Sequence, residues 1–241
     1  MEEKEQKSLD DIIEFILQDE EYLDYMRKIQ KITLEFAESS EANGSIAFNH
    51  DLDHAVFVAE RTKKLLKDLK SDEKTCKLGY IAGLLHDIGM INGKKGHADA
   101  GFLLAESYLN KFNLSYGDKC VILSAIKNHG GDSEINTTID ACIVVADKSH
   151  FDRDRVIKSK YSSHSKLNYI ISNDVLIKGN RLILRYEVDD EFDKSIFYII
   201  PKSIDTIVET SKKLRLIPIF YINEKEENFS DRNCYSGHVY G

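Results

Sequence analysis

Apolar residues recur at helical spacing through the first 150 residues of the chain. Ser8 followed by Asp11 is typical of a capping box and predicts the start of a first helix. Polar connections separate the later apolar stretches, including a predicted loop at 39–49. The predicted helices after the first cover about 20–38, 54–70, 73–88, 97–112, 117–129 and 137–151. Since no βαβ alternation is present, this pattern predicts a mainly α fold, a helical bundle.

The pattern changes near residue 168, where short runs of β-branched and aromatic residues replace helical spacing. VLIKGNRLILRYEV contains two such runs around Gly179-Asn180, which predicts a hairpin. SIFYII and LIPIFYI predict two more strands, and Pro201 between them suits the first turn of a helix ending near Leu214. We therefore predict a helical domain over 1–165 and an appendage over 166–241. The appendage is a small C-terminal α+β unit of order β-β-β-α-β, followed by a polar, loose tail from Glu224.

The composition is that of a globular protein, with 42% hydrophobic and 31% charged residues. The formal net charge of -8 argues against a broad nucleic-acid-binding surface. The N-terminus is polar and acidic, and no apolar run approaches the length of a membrane span, so we expect neither a signal peptide nor a membrane partner. The four cysteines are widely spaced, without C-x-x-C pairing, and fit a reduced, cytoplasmic protein.

Candidate chemistry lies where polar residues interrupt apolar helical faces. In GLLHDIGM, His86 and Asp87 stand side by side in a stretch that otherwise predicts a buried helix. Both side chains are costly to bury unless something binds them. Similar interruptions at or near predicted helix ends are His54, His97, His129 and Asp147.

These residue types share one chemistry. Imidazole nitrogens and carboxylate oxygens bind Mn, Fe, Co, Ni or Zn without a cysteine thiolate. A divalent cation compensates a buried Asp and lowers the pKa of bound water. A single buried histidine is more often a satisfied structural residue. The ordered set of interruptions favours a metal site.

The order His54…His86-Asp87…Asp147 resembles the HD-domain superfamily of metal-dependent phosphohydrolases. LLHDIG and VADK look like its second and last motifs, and the resemblance covers roughly residues 45 to 155. It implies an all-helical core and hydrolysis of a phosphate ester or anhydride. It also implies a divalent metal held by His54, His86, Asp87 and Asp147.

Two further histidines bear on the number of ions. GHADAGFLL and IKNHGG resemble the third and fourth motifs of the same family. In two-metal members the corresponding residues, here His97 and His129, join a second ion, whereas in one-metal members they orient or protonate the substrate. We favour two ions bridged by Asp87, drawn from Fe, Mn, Co, Ni, Zn or Mg. On this interpretation the catalytic residues are Asp87, His97 and His129.

The chain departs from the family pattern after HDIG, where many two-metal relatives carry Lys and this chain has Met90. Lys94 and Lys95 could substitute as phosphate ligands or could simply be solvated. Lys148, Arg153 and Arg155 follow the last motif, and two or three cations there would suit phosphate binding, with Lys148 and Arg153 as the candidates. Pairing with Asp152 and Asp154 is the more common explanation of such cations.

Other departures narrow the substrate. NHGG has one histidine rather than two, and no G-Y-P signature is present, which argues against cyclic dinucleotides. No acidic pair follows the HD, which argues against guanosine alarmones. His50 and Asp51, in NHDLDH, resemble openings of some HD nucleotide phosphohydrolases that lie near substrate, although an N-cap role suits Asp51 equally.

The resulting hypothesis is a cytoplasmic HD-type phosphohydrolase. A metal-activated water attacks phosphorus of a small phosphorylated metabolite, with a nucleotide as the favoured class. Two alternatives stay open: a catalytically silent HD protein that senses a nucleotide, and a di-iron HD oxygenase. Assembly as a homodimer is also left open.

Overall fold

Successive helices from residue 9 to residue 148 confirm the predicted bundle. The structure is a computed structural model and describes residues 7–39, 47–131, 134–159, 167–189 and 200–227. The helices are α1 (Leu9–Gln18), α2 (Glu20–Ala37), α3 (Leu52–Asp68), α4 (Glu73–Leu85), α5 (His97–Leu109), α6 (Tyr116–Asn128) and α7 (Thr138–Lys148), with a short 3-10 helix, Ile88–Asn92, between α4 and α5.

Side chains at the N-cap positions start most of these helices. The predicted capping box of Ser8 and Asp11 is present, and Thr137 forms a second one with Asp140. Each box satisfies backbone N–H groups that have no partner within the helix. The other side-chain caps are Asp51 for α3, Asp72 for α4 and Ser115 for α6.

Two apolar segments occupy the centre of the bundle. Every residue from 78 to 90 is buried, and so is every residue from 139 to 147. α4 approaches α3 so closely that a Cβ atom on Gly83 would lie 2.4 Å from the Ala59 Cα. The ends of these central helices carry polar residues into the interior, and those residues form the candidate site.

The C-terminal part is a small sheet with one helix. Its elements are β1 (Ile170–Lys178), β2 (Arg181–Val188), α8 (Pro201–Lys213), β3 (Ile217–Ile222) and β4 (Lys225–Glu227). The sheet order is β1-β2-β3-β4, with the β2–β3 pair parallel and the two outer pairs antiparallel. The predicted hairpin is present, because Lys178 pairs with Arg181 across the turn and Gly179 takes a φ of 62°.

Other expectations for this part had different outcomes. The predicted strand SIFYII falls on residues 195–200, of which 195–199 lie outside the described residues, as do residues 160–166 at the predicted domain boundary. The boundary therefore stays a prediction. The expectation of a loose tail from Glu224 is wrong at its start, because Lys225–Glu227 pairs with β3.

The sheet lies against α3 through polar contacts along β1. Lys64 pairs with Asp174 at 2.5 Å, and the Asp68 carboxylate accepts the backbone N–H of Ile177 at 2.8 Å. These contacts place the first strand of the appendage beside the helix that carries His54. Within the described ranges, no helix combines the length and the apolar character needed to span a bilayer.

Candidate metal centre

The structure gathers six of the predicted site residues at converging helix ends. They are His54 in the first turn of α3, His86 and Asp87 just after α4, His97 at the start of α5, His129 just after α6, and Asp147 near the end of α7. Locally, the Asp51 carboxylate accepts the backbone N–H of His54 at 3.0 Å and fixes the start of α3. His97 is partly exposed and the other five are buried.

Asp87 lies between two sets of histidines. Its Oδ2 atom lies 2.7 Å from Nδ1 of His50 and 3.0 Å from Nε2 of His86. Its Oδ1 atom lies 3.4 Å from Nε2 of His129 and 3.7 Å from Nε2 of His97. Each oxygen of this carboxylate could therefore act as a ligand to a cation together with the imidazoles that it faces.

His54 and Asp147 complete the cluster. Nε2 of His54 lies 3.2 Å from Oδ1 of Asp147 and 3.5 Å from Oδ2 of Asp87. Three overlapping groups of potential ligands result, each with its ligand atoms within 4.8 Å of one another: His50–His54–Asp87, His54–His86–Asp147 and Asp87–His97–His129.

Backbone carbonyls fix the tautomers of three histidines. Nδ1 of His86, His97 and His129 donates to the carbonyl three residues earlier, at 2.8, 2.8 and 2.6 Å respectively. Since each proton is then on Nδ1, each Nε2 directs a lone pair into the cluster. Among the described residues, no hydrogen-bond partner reaches the buried Nε2 of His86, and the Nε2 atoms of His97 and His129 face each other at 2.9 Å. Lone pairs so placed repel unless a proton or a metal ion lies among them, and this set of nitrogen and oxygen donors fits a divalent metal.

The two buried carboxylates are held in their charged form. Burial alone would raise the pKa of Asp87, but the imidazoles of His86 and His50 hold that pKa well below its ordinary value. Burial would likewise raise the pKa of Asp147, but Lys148 and His54 hold it well below its ordinary value. Two ionised carboxylates in a buried cluster require compensating positive charge.

The imidazoles are arranged chiefly as neutral ligands. Burial lowers the pKa of His54 to about 4, and the guanidinium of Arg155 adds to the effect. Burial also lowers the pKa of His97. His86 differs, because burial would lower its pKa but the adjacent Asp87 carboxylate raises it. At His86 a proton and a metal ion therefore compete for the same Nε2 atom.

The family model described as HD domain matches residues 51–152, from the N-cap of α3 to four residues beyond α7. This chain contains an HD domain. The match encloses all six clustered residues and confirms the resemblance drawn from the order His54…His86-Asp87…Asp147. The search of curated proteins found no match.

Two cations contact Asp147 of the HD domain. Nζ of Lys148, a predicted phosphate ligand, lies 2.7 Å from Oδ2 of Asp147. Arg155, buried and just beyond the family match, donates from Nη2 to Oδ1 of Asp147 and to Nε2 of His54, both at 3.1 Å. The sequence indicated Arg155 only as one of several cations after the last motif. A hydrophobic pattern does not reveal that a single charged residue is buried.

The other three predicted phosphate ligands lie at the surface. Lys94 and Lys95 have exposed side chains, and it is the Lys94 backbone carbonyl that contacts His97. Arg153 is 43% exposed and lies 3.9 Å from Asp189 of the appendage, so the structure does not bring it to the cluster.

The sequence analysis missed His150. Nδ1 of His150 lies 2.9 Å from Nδ1 of His54. The position three residues after Asp147 was a signal, but the helix was predicted to run to 151 and ends at Lys148. Beyond that end the chain turns, and His150 packs behind His54 rather than one turn along the same helix.

Proposed function

We propose that this HD domain is a metal-dependent phosphohydrolase that binds two divalent ions and hydrolyses a small phosphorylated metabolite, with nucleotides as the favoured class. The observation that carries the proposal is the position of Asp87. Its two oxygens face separate histidine sets, at 2.7–3.5 Å on one side and 3.4–3.7 Å on the other. HD domains are commonly hydrolases, which supports the reaction class.

The residues divide into two ligand sets that share Asp87. One set is His54, His86, Asp87 and Asp147, as the family resemblance implies, and the other is Asp87, His97 and His129, whose ligand atoms lie within 4.8 Å of one another. Ions held in this way lower the pKa of coordinated water and stabilise the attacking and leaving oxygens of a phosphoryl centre. A ligand set made only of imidazole nitrogens and carboxylate oxygens suits Fe, Mn, Co, Ni or Zn.

Three side chains at the rim of the cluster are partly exposed to solvent. The side chains of His50, His97 and Lys148 are 19%, 21% and 25% exposed, whereas that of His86 is fully buried. Lys148 presents an ammonium group at this rim, where it can pair with a phosphate oxygen.

Metal content and turnover of two variants test this proposal. His86→Ala and Asp87→Ala should each remove bound metal and abolish phosphate release, because each removes a central ligand. Elemental analysis of protein purified without chelator should give two ions per wild-type chain. Phosphate release is measured over phosphomonoesters and nucleoside triphosphates, and phosphodiester cleavage over dinucleotides.

Asp99→Ala is the matched control, since Asp99 is 78% exposed on α5 and pairs with Lys127 at 3.7 Å. This variant should keep both metal and activity. Full activity in His86→Ala or Asp87→Ala, with helical content preserved by circular dichroism, would refute the assignment. Retained metal without turnover on any phosphate substrate would favour the sensing protein, and consumption of dioxygen would favour the di-iron oxygenase.

A further inference from the structure

A line of polar contacts connects the C-terminal sheet to the candidate metal centre. Asn173, half-buried on β1, donates from Nδ2 to Oδ2 of Asp152 at 3.3 Å. The same carboxylate oxygen lies 3.2 Å from Nε2 of His150. Nδ1 of His150 lies 2.9 Å from Nδ1 of His54, the first histidine of the proposed ligand set. The line thus begins outside the matched HD domain and ends on a residue that directs its other nitrogen into the cluster.

The position of each proton along this line follows from chemistry. The guanidinium of Arg155 has only donors and contacts Nε2 of His54, so that nitrogen is an acceptor. The proton of His54 is then on Nδ1 and is donated to Nδ1 of His150. His150 in turn carries its proton on Nε2, facing the Asp152 carboxylate. In this order of protons the Nε2 lone pair of His54 accepts from Arg155, and a cation would bind this same lone pair in place of that contact.

Packing holds His150 in place. The ring of Phe57 stacks on the ring of His150, with the ring centroids 3.4 Å apart. The guanidinium carbon of Arg61 lies 4.0 Å from the centroid of the Phe57 ring. Arg61 also donates from Nη1 to Oγ of Ser149 at 3.1 Å. A ring held on its face by an aromatic side chain keeps its nitrogens aimed in two fixed directions.

Hydrogen bonds also hold Asn173 in place. Its backbone carbonyl accepts Nη2 of Arg61 at 2.8 Å, and its Oδ1 accepts Nη1 of the same residue. Its Nδ2 also donates to the Phe151 carbonyl at 3.2 Å. Because the guanidinium supplies only donors, the amide oxygen of Asn173 must face it and the amide nitrogen must face Asp152.

We propose that Asn173 and His150 are positioning residues for the metal centre, through which the C-terminal sheet orients His54 and supplies the acceptor of its Nδ1 proton. This inference rests on the proposed metal site. Outer partners that orient a ligating histidine typically change metal affinity 10- to 100-fold when removed. The appendage would then be part of the metal centre rather than an independent module beside it.

Cobalt titration of chelator-treated protein tests the inference. Co²⁺ is added to each variant, and its visible d–d absorption reports affinity and ligand geometry. Asn173→Ala and His150→Phe should weaken Co²⁺ binding roughly 10- to 100-fold and alter the band shape. Phe keeps the stacking on Phe57 but removes both nitrogens. His150→Asn should recover part of the affinity, because the Asn oxygen can accept the His54 Nδ1 proton.

Asp174→Asn is the matched control, since Asp174 is the next residue on β1 and its partner is Lys64 at the surface. It should bind Co²⁺ as the wild type does. Variants that fold, by circular dichroism, and bind Co²⁺ with wild-type affinity and spectrum would overturn the inference alone. A wild-type chain that binds no Co²⁺ would overturn the metal site and the inference together.

A second readout needs no metal. Nitrogen-15 NMR of histidine-labelled protein distinguishes an Nδ1–H from an Nε2–H imidazole. In the wild type His54 should be the Nδ1–H tautomer, and in His150→Phe its Nδ1 resonance should shift, because the variant removes the acceptor of that proton. An unchanged His54 Nδ1 resonance in the folded variant would contradict the proposed role whatever the cobalt result.

Discussion

At the scale of single residues, the site depends on carbonyls that a helix leaves unpaired. The last carbonyls of a helix have no partner in the following turn. His86 and His129 each follow a helix end and use such a carbonyl, of Gly83 and Ile126, to hold Nδ1. The helix end therefore supplies both the position of the imidazole and its tautomer. This explains why ligand candidates accumulate at helix termini.

Gly89 is a residue whose size the site requires. A Cβ atom there would lie 2.0 Å from the carbonyl oxygen of His97 and 2.3 Å from the backbone nitrogen of Gly101. Because these are backbone atoms, Gly89→Ala must separate the 3-10 helix from α5 and displace His97. We expect a loss of about 1–3 kcal/mol or more in unfolding free energy, measured in urea. We also expect metal content to fall from two ions toward one.

Gly130→Ala is the control for this change. Gly130 is adjacent to His129, and apart from its two chain neighbours no described residue has an atom within 4 Å of the position of its Cβ. The unfolding free energy should stay within about 0.5 kcal/mol of wild type. If the two variants have equal unfolding free energy and equal metal content, the close backbone approach at Gly89 contributes neither to stability nor to metal binding.

At the scale of elements, the end of α4 determines where His86 and Asp87 point. The pattern predicted a helix over 73–88, but α4 ends at Leu85. Side chains take the carbonyls that the next turn would have used: the Tyr22 hydroxyl donates to the Leu84 carbonyl at 2.6 Å, and His86 uses that of Gly83. The 3-10 helix that follows redirects the chain toward α5. The Tyr22 hydroxyl comes from 62 residues away along the chain, so local periodicity could not predict this contact.

Tyr22→Phe tests this account of the helix end. The variant keeps the buried ring but leaves the Leu84 carbonyl without the hydroxyl donor, so the unfolding free energy should fall by about 1–3 kcal/mol. Tyr116→Phe is the control, because Tyr116 is 84% exposed, and it should cost less than about 0.5 kcal/mol. Urea denaturation gives both values. If Tyr22→Phe lowers the unfolding free energy no more than Tyr116→Phe does, the Tyr22 hydroxyl does not stabilise the end of α4.

The sequence pattern predicts most of the helices and strands but not every element or site residue. Apolar periodicity predicts α1 to α7, and the hairpin signal at Gly179-Asn180 predicts β1 and β2. β4 was not predictable, because KEE has no apolar alternation and pairs with β3 through its backbone. Asp87 and the predicted histidines were found because they interrupt apolar helices. His150 and Arg155 follow the end of α7, where no periodicity marks a buried side chain.

At the scale of the whole molecule, the proposed ions connect most of the bundle. Potential ligands come from α3, α5 and α7 and from the segments that follow α4 and α6. With neither a proton nor a metal ion between them, the facing Nε2 lone pairs of His97 and His129 repel one another. A ligand that binds the folded chain alone stabilises it by mass action. The metal centre should therefore contribute to the stability of the fold as well as to its chemistry.

Removal of metal should accordingly lower the melting temperature. At a free ion concentration 1,000 times Kd the stabilisation is about 4 kcal/mol, which for a chain of this size corresponds to a shift on the order of 10 °C. Calorimetry of wild type with Mn²⁺ and with EDTA measures the shift. Asp87→Asn should melt at nearly the same temperature in both conditions, because its neutral amide cannot bridge two cations, whereas Asp99→Asn should respond as wild type does. If wild type melts at one temperature with and without chelator, the clustered side chains do not hold an ion, and their convergence has a structural cause alone.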